Sequence, residues 1–355
     1  MSTSARASNP GYVTARVRAR KAKLFEEEDY RKLVRMAPSG IARFMEESEY
    51  EDEINRLGSR HGGVDLIEYA LNENLARHFH DILGWAEGQL YEQIANYVRK
   101  FDAWNAKTAL RGIYSGTDAE EIRTDFIPAG EFDERLLDEL AAADSVETVV
   151  ELLDRTIFGD AVAEAYEEYE ETGLLVPIEN AIDREFYEHL LDGVEDVEVT
   201  AERGHPVMLY VEFLQAEIDF RNVRNALRLS GGTDIDPAEY YIAGGRLFTE
   251  DELRLLVEDE TELIARIRES TYGNDLSGAL SALEDADSLV AFERALEAAL
   301  LRYSDQLSYR FPLSICPVLA YVLAKEREVE NIRAIARGKE AGLDRIEVEE
   351  ELVIT

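Results

Sequence analysis

Apolar residues recur at three- and four-residue spacing along most of the chain. Long stretches of this kind include 64–114, 131–158 and 250–269, and they are rich in Ala, Glu, Leu and Arg, which favour helices. No run of alternating β-branched residues is long enough to found a sheet. The pattern therefore predicts an all-α fold.

One helical segment occurs three times in the sequence. Its copies read KFDAWNAKTALRG at 100–112, EIDFRNVRNALRL at 217–229 and EREVENIRAIARG at 326–338. The copies align on Asn105, Asn222 and Asn331, which are separated by 117 and 109 residues. A repeat of this length is a small domain that packs against its neighbours.

Each copy carries the same types of charged residue around its asparagine. An acid stands three residues before the asparagine, a base two residues after it and an arginine six residues after it. The acids are Asp102, Asp219 and Glu328, the bases are Lys107, Arg224 and Arg333, and the arginines are Arg111, Arg228 and Arg337.

The similarity extends beyond this segment in the same order. Upstream lie related pentapeptides at 67–71, 178–182 and 292–296, and downstream lie glycines that fit helix C-caps, namely Gly116, Gly231 with Gly232, and Gly342. A glycine-containing pair at 127–130 and 242–245 also matches. We therefore predict three pseudo-threefold-related helical domains, at 1–116, 117–232 and 233–355.

The acid and the asparagine of each copy fall on the apolar face of the predicted helix. A buried acid is costly unless it is hydrogen-bonded. We interpret each pair as a structural pin that holds a neighbouring helix by accepting hydrogen bonds from backbone or from an arginine; the alternative is a catalytic or metal-binding carboxylate. We favour pins because a repeated fold needs the same residue three times, whereas catalysis rarely does.

The two basic residues of each copy fall on the opposite side of the helix and form an i, i+4 stripe. This basic stripe consists of Lys107, Arg111, Arg224, Arg228, Arg333 and Arg337. It is either a solvated helix face with local ion pairs or a surface that contacts a partner protein.

The charge of the chain excludes several classes of partner. With 75 Asp and Glu against 38 Lys and Arg, the net charge is −37, which disfavours binding to nucleic acid or to an anionic membrane surface. Only seven of the basic residues are Lys. This composition is typical of a salt-rich cytoplasm, where molar salt screens the repulsion; an acidic protein from an ordinary cell is the alternative.

Other features indicate a chain that does not cross a membrane. The N-terminal residues are polar, without the apolar core of a signal peptide. The longest apolar stretch, at 311–324, is shorter than the about 20 residues that a bilayer span needs, and it contains the single cysteine, Cys316. One cysteine allows no internal disulfide, and we expect it to be a small buried side chain.

The sequence contains none of the common motifs for catalysis, cofactor binding or metal binding that we considered. The sequence has no GxxxxGK[ST], GxGxxG or GxSxG pattern. The one Glu-x-x-His, at 202–205, is followed by Pro206 and does not fit a helical metal site. His78 and His80 are two residues apart, a spacing that cannot form an i, i+4 zinc pair. We therefore predict no enzyme activity, no cofactor and no metal.

Several segments together resemble the C subunit of the archaeal-type (A-type) rotary ATP synthase, which is related to the d subunit of V-type ATPases. They are GYVTARVRA at 11–19, PIENAIDREFY at 177–187, EIDFRNVR at 217–224 and AYVLAKEREVENIR at 320–333, followed by RGK at 337–339. The resemblance covers nearly the whole chain.

This resemblance implies a function that residue patterns alone do not give. It implies a funnel of three helical domains, a non-catalytic rotor subunit that links the central stalk to the proteolipid ring of the membrane sector and transmits torque for ATP synthesis coupled to proton or sodium transport. Such a subunit is peripheral, on the cytoplasmic face of the cell membrane, with one copy per complex. The basic stripe would then line the contact with the stalk.

Two other classes of protein share some of these features. A free-standing helical-repeat scaffold would have the repeats but no rotary-ATPase subunits beside it. A ferritin-like metal enzyme would need inward carboxylates with bound metal.

Overall fold

The computed structural model describes residues 7–198, 206–230, 236–286 and 289–354. In these ranges every regular element is a helix, so the all-α prediction is confirmed. The chain divides into two compact units, one made of 1–152 with 317–354 and the other of 153–316. The three predicted repeats stay a prediction beside this division.

The first unit contains most of the shorter helices. Its helices are α1 Pro10–Lys21, α2 Glu27–Leu33, α3 Pro38–Glu46, α4 Glu51–Leu57, α5 Gly63–Trp85, α6 Gln89–Val98, α7 Lys100–Ser115, α8 Ala119–Thr124, α9 Glu134–Ala141, most of α10 Val146–Leu153, most of α18 Cys316–Glu340 and α19 Arg345–Glu350. The long helix α5 packs against α1, α3, α4, α6 and α8, and α7 packs against α6, α8 and α9.

The second unit is built around three long helices. Its helices are α11 Gly159–Thr172, α12 Val176–Glu198, α13 Pro206–Leu229, a 3₁₀ helix at Pro237–Tyr240, α14 Glu250–Leu256, α15 Glu260–Arg268, α16 Gly273–Ala286 and α17 Leu289–Arg310. The three long helices are α12, α13 and α17. Helix α12 packs on α11 and α13, while α17 packs on α13 and α16. The core of this unit includes Phe220, Phe292 and Leu276.

The long amphipathic stretches are broken into shorter helices. The stretch at 64–114 contains α5, α6 and α7, with Gly88 at a φ of 61° between the first two. Gly116 ends α7 in the left-handed region, as predicted, and Gly342 follows α18 at a φ of 76°. The predicted cap at Gly231 and Gly232 and the Glu-x-x-His motif at 202–205 lie outside the described residues.

Candidate functional site

The three repeated asparagines make the same pair of hydrogen bonds in each copy. The side-chain amide of Asn105 donates to the Ile127 carbonyl at 2.8 Å and its oxygen accepts from the Ile127 N–H at 2.8 Å. Asn222 holds both backbone groups of Ile242 in this way, and Asn331 holds those of Val353. Each buried amide therefore fixes a residue 20 or 22 positions further along the chain.

Two of the repeated acids hold the backbone that leads into a helix. Asp102 accepts from the N–H groups of Glu131 and Phe132 at 2.7 and 3.0 Å, just before the N-cap of α9. Asp219 accepts from the N–H groups of Arg246 and Leu247 at 2.8 Å, shortly before the N-cap of α14. Both carboxylates are buried and are satisfied by neutral donors.

The glycines of the matched pair at 127–130 and 242–245 allow this close approach. A Cβ atom at Gly130 would lie 2.2 Å from Oδ1 of Asp102, and one at Gly245 would lie 2.3 Å from Oδ1 of Asp219. Glycine is therefore required at these positions for a steric reason. Burial raises the pKa of both acids, and that of Asp102 rises to about 6 even though two backbone N–H groups oppose the shift.

The third acid, Glu328, has different partners. It accepts from the Phe25 N–H at 2.5 Å, from the Tyr50 hydroxyl at 2.8 Å and from the Lys325 ammonium at 2.7 Å. Phe25 directly precedes Glu26, the N-cap of α2, so this acid also holds a segment that leads into a helix. That segment is 303 residues away in sequence.

Lys325 completes a buried cluster that sequence reasoning missed. Its side chain is fully buried, its ammonium donates to the Tyr50 hydroxyl at 2.9 Å, and it lies 4.0 Å from the centre of the Tyr50 ring. Burial lowers the pKa of Lys325 and raises that of Tyr50. A lysine one turn before the repeated acid was the available signal, but the other copies have Arg99 and Ala216 there.

A second buried polar contact in this unit joins His78 of α5 to Tyr321 of α18. The Nδ1 atom of His78 hydrogen-bonds the Tyr321 hydroxyl. Burial lowers the pKa of His78 to about 2, so the imidazole is neutral. His80 of the same helix is exposed, so the two histidines do not face the same environment.

Two arginines of the basic stripe pair with one buried acid of helix α5. Arg333 and Arg337 donate to opposite oxygens of Glu68 at 2.7 and 2.6 Å. Arg333 also donates to Asn72, and its side chain is only 15% exposed. The sequence predicts an outward stripe; at Arg333 the stripe instead faces α5, because Glu68 and Asn72 accept its donors.

The remaining stripe residues lie in different surroundings. Arg228 is exposed and makes a bidentate pair with Glu293 of α17. Arg224 is largely buried, and burial lowers its pKa. Lys107 is half-buried and Arg111 is exposed. In each copy the first basic residue of the stripe is thus partly buried, namely Lys107, Arg224 or Arg333. The second basic residue is exposed, namely Arg111, Arg228 or Arg337.

The paired acids belong to the upstream pentapeptides of the repeats. Glu68 is the second residue of the pentapeptide at 67–71, and Glu293 is the second residue of that at 292–296. Two repeated features that the sequence shows separately therefore meet in the structure. Their meeting was not predicted, because sequence spacing gives no information on which helices pack together.

The described residues offer neither a metal-binding cluster nor a membrane span. Among them, no group of three or more His, Cys, Asp or Glu side chains is arranged to hold a metal ion. None of the helices in the same ranges combines the length and the apolar character needed to span a bilayer. Cys316 is buried and free, and burial raises its pKa.

Comparison with known proteins identifies the family. The model of the family described as ATP synthase (C/AC39) subunit matches residues 13–351. The chain is similar to the C subunit of the A-type ATP synthase of Haloferax volcanii, with 62% identity over 98% of each chain. It is also similar to the C subunits of the A-type ATP synthases of Halobacterium salinarum, at 57% identity over 98% of each chain, and of Methanosarcina mazei, at 33% identity over 98% of this chain and 93% of the relative.

The chain belongs to the ATP synthase C/AC39 subunit family. Members of this family are structural rather than catalytic subunits of a rotary ATP synthase. The resemblance that the segments at 11–19, 177–187, 217–224 and 320–333 indicated is therefore confirmed.

Proposed function

We propose that the chain is the central-rotor subunit of an A-type rotary ATP synthase, which links the central stalk to the proteolipid ring of the membrane sector. In this role it transmits torque for ATP synthesis coupled to proton or sodium transport and carries out no chemistry itself. The observation that carries the proposal is the near full-length similarity to the C subunits of A-type ATP synthases, at 62% identity over 98% of each chain.

The repeated hydrogen bonds support a mechanical role. The pairs Asp102 with Asn105, Asp219 with Asn222 and Glu328 with Asn331 are buried and hold backbone groups of distant segments. Buried polar groups that are fully hydrogen-bonded stiffen a fold and favour one arrangement of its helices. A body that transmits torque needs such stiffness, and we propose that these six residues act as its pins.

The three repeats also support an arrangement around an axis. We propose that the domains at 1–116, 117–232 and 233–355 form the funnel that the resemblance implies, with the foot of the central stalk in its socket. The recurrence of one asparagine contact in all three copies supports a common domain design.

Family membership and composition support a location at the cytoplasmic face of the cell membrane. We propose a peripheral subunit, held by the proteolipid ring, with one copy per complex. The haloarchaeal relatives and the excess of 75 acidic over 38 basic residues support a salt-rich cytoplasm.

Copurification tests this proposed function. A tagged copy of the chain, expressed in a haloarchaeal host, is purified from membranes solubilised in detergent at molar KCl. We expect central-stalk subunits and the proteolipid to copurify in constant ratio, and cross-linking to join the chain to both. A chain that purifies alone from the same membranes would contradict the proposal and favour a free-standing scaffold.

The proposed stalk contact through the basic stripe needs a control for its internal ion pairs. Reversing Arg228 and Arg337 to Glu together should weaken capture of the central stalk in a pull-down at matched salt. Because Arg228 pairs with Glu293, the variant Arg228→Glu with Glu293→Arg keeps an ion pair but moves the charge. Unchanged capture by both variants would remove the stripe from the stalk contact.

A further inference from the structure

The N-terminal helix carries a charge opposite to that of the rest of the chain. Residues 1–25 contain six Lys and Arg, and the first acidic residue is Glu26. The chain as a whole has a net charge of −37. Helix α1 and the turn after it therefore form a local basic segment on an acidic protein.

Some of these cations are used within the first unit. Arg20 pairs with Asp81 and donates to the His78 carbonyl at 3.2 Å. Lys23 pairs with Glu49 at 2.8 Å. These contacts attach α1 to the rest of the unit, so Arg20 and Lys23 are not available to a partner.

Arg16 is in a different position. Its guanidinium carbon lies 4.7 Å from the centre of the Tyr12 ring and 4.9 Å from that of the Trp85 ring. Arg16 is exposed, and its guanidinium contacts within the described ranges are with these two rings. Stacking on aromatic rings orients an arginine while leaving its N–H donors at the edge of the plane.

The surroundings hold this stack in place. Asn9, the N-cap residue of α1, donates to the Trp85 carbonyl at 2.8 Å and accepts from the Glu87 N–H at 3.0 Å. Tyr12 remains 50% exposed. These hydrogen bonds attach the start of α1 to the end of α5, so the backbone that carries Tyr12, Arg16 and Trp85 is positioned before any partner arrives, which lowers the entropic cost of binding.

We propose that Tyr12, Arg16 and Trp85 form a docking surface for a carboxylate of another protein subunit of the ATP synthase. The inference rests on the proposed function, since it requires an assembled complex. Trp, Tyr and Arg are the residues that dominate binding energy at protein interfaces. An oriented guanidinium fits a carboxylate through two parallel hydrogen bonds.

Charge and salt favour a protein carboxylate over an anionic lipid surface. Segments that bind anionic lipids present about four to eight Lys or Arg. Of the six cations in residues 1–25, Arg20 and Lys23 have acidic partners, and Arg18 and Lys21 also have interaction partners, which leaves fewer than four. At molar salt the Debye length is about 3 Å, so long-range attraction to a charged surface is lost while a direct ion pair remains. Another protein of the same complex with a similarly acidic composition would offer many carboxylates.

A zero-length cross-link tests the contact directly. The variant Arg16→Lys places an amine at position 16, and a carbodiimide then joins that amine to a carboxylate in contact with it. We expect mass spectrometry of the purified complex to identify an amide between position 16 and an Asp or Glu of another subunit. The matched control is Arg35→Lys, because Arg35 is also an exposed arginine of the same unit. Links from position 16 only to this same chain would overturn the proposal.

Retention in the complex gives a second measurement. We expect Arg16→Gln and Tyr12→Ala to dissociate from the detergent-solubilised complex at least about tenfold faster than the wild type during washing at constant KCl, and Arg35→Gln to dissociate at the wild-type rate. Equal rates for all variants would overturn the docking surface. Absence of the wild-type chain from the complex would contradict the proposed function instead, so the two failures are distinguishable.

Vesicle flotation separates the lipid alternative. The purified chain is mixed with vesicles of phosphatidylcholine alone or with about 30% phosphatidylglycerol, which gives the vesicles an anionic surface. We expect no flotation of the wild type with either vesicle at molar KCl. Flotation with the anionic vesicles that Arg16→Gln abolishes would assign the surface to lipid and overturn the protein partner.

Discussion

Asp102 and Asp219 accept hydrogen bonds from backbone N–H groups, whereas Glu328, at the equivalent position of the third copy, accepts from a lysine, a tyrosine and one backbone N–H. All three acids hold a segment that leads into a helix. In the first two copies a glycine allows the backbone to approach the carboxylate closely. In the third copy Lys325 forms an ion pair with the carboxylate.

This difference shows that a buried acid can hold the segment leading into a helix through either neutral or charged hydrogen-bond donors. In the first two copies the carboxylate accepts from neutral backbone N–H groups rather than from a directly bonded cation, and burial raises the pKa of Asp102 and Asp219. The ammonium of Lys325 supplies a counter-ion but is itself costly to bury. The two solutions should therefore respond differently to substitution, to pH and to salt.

Removing the cation of the third copy should have the largest effect. In Lys325→Met the carboxylate of Glu328 stays buried without its counter-ion, and loss of one partner of such a pair costs about 3–5 kcal/mol. Guanidinium unfolding followed by circular dichroism at fixed KCl measures the free energy of unfolding. The double variant Lys325→Met with Glu328→Gln should lose less than the single one. A loss below about 1 kcal/mol for Lys325→Met would contradict the role of this ion pair.

The pH dependence of folding stability should reveal the raised pKa of the buried acid Asp102. The folded pKa of Asp102 is about 6 against an ordinary value of 3.8, so between these values the folded chain binds more protons than the unfolded chain. Its contribution to stability is therefore present at low pH and is lost as the pH rises from about 4 to about 6. The stability of the wild type relative to Asp102→Asn should fall by roughly 2–3 kcal/mol over this range. Parallel pH profiles of the two proteins would contradict the shift.

A substitution at Gly130 tests whether the close approach of the backbone to Asp102 requires glycine. In Gly130→Ala the new Cβ would lie 2.2 Å from the carboxylate of Asp102, so the backbone must move away and weaken both hydrogen bonds. We expect a loss of about 1–3 kcal/mol in the free energy of unfolding. Gly84→Ala is the matched control, because a Cβ at this position in α5 meets no atom within 4 Å and alanine favours the helix. Equal effects of the two substitutions would contradict the steric explanation.

The sequence predicts the local features of the repeated segments but not their tertiary contacts. The helical class, the cap at Gly116 and the burial of the acid and asparagine of each copy follow from local periodicity, which depends only on neighbouring positions. The family followed from motifs spread over the chain. The partners of the acids did not follow: neither Phe25 with Glu328 nor Arg333 with Glu68 is indicated by spacing, since which helices pack together is a property of the tertiary fold.

The buried lysine of the third copy is a further contact that sequence spacing does not predict. Full burial of Lys325 does not follow from its residue type, because lysine is almost never fully buried without a partner. Its partners Tyr50 and Glu328 are 275 and three residues away. Only the second is visible as a helical i, i+3 pair, and such pairs are common on solvated faces. The breaks at Gly88 and in the other long amphipathic stretches were missed for a similar reason, since the apolar periodicity continues across them.

The smallest effect is expected for an ion pair with good geometry but exposed partners. Arg228 and Glu293 are joined by two hydrogen bonds, yet the arginine side chain is 49% exposed. Water solvates both groups when the pair opens, so Arg228→Gln should cost only about 0.2–1 kcal/mol. This small cost should decrease further between about 0.5 and 3 M KCl, since the Debye length shortens to about 3 Å or less. The cost of Lys325→Met should not decrease in this way, because salt does not reach the buried pair. Unfolding of both variants at the two salt concentrations measures the contrast, and an equal salt dependence would mean that burial does not separate the two kinds of ion pair.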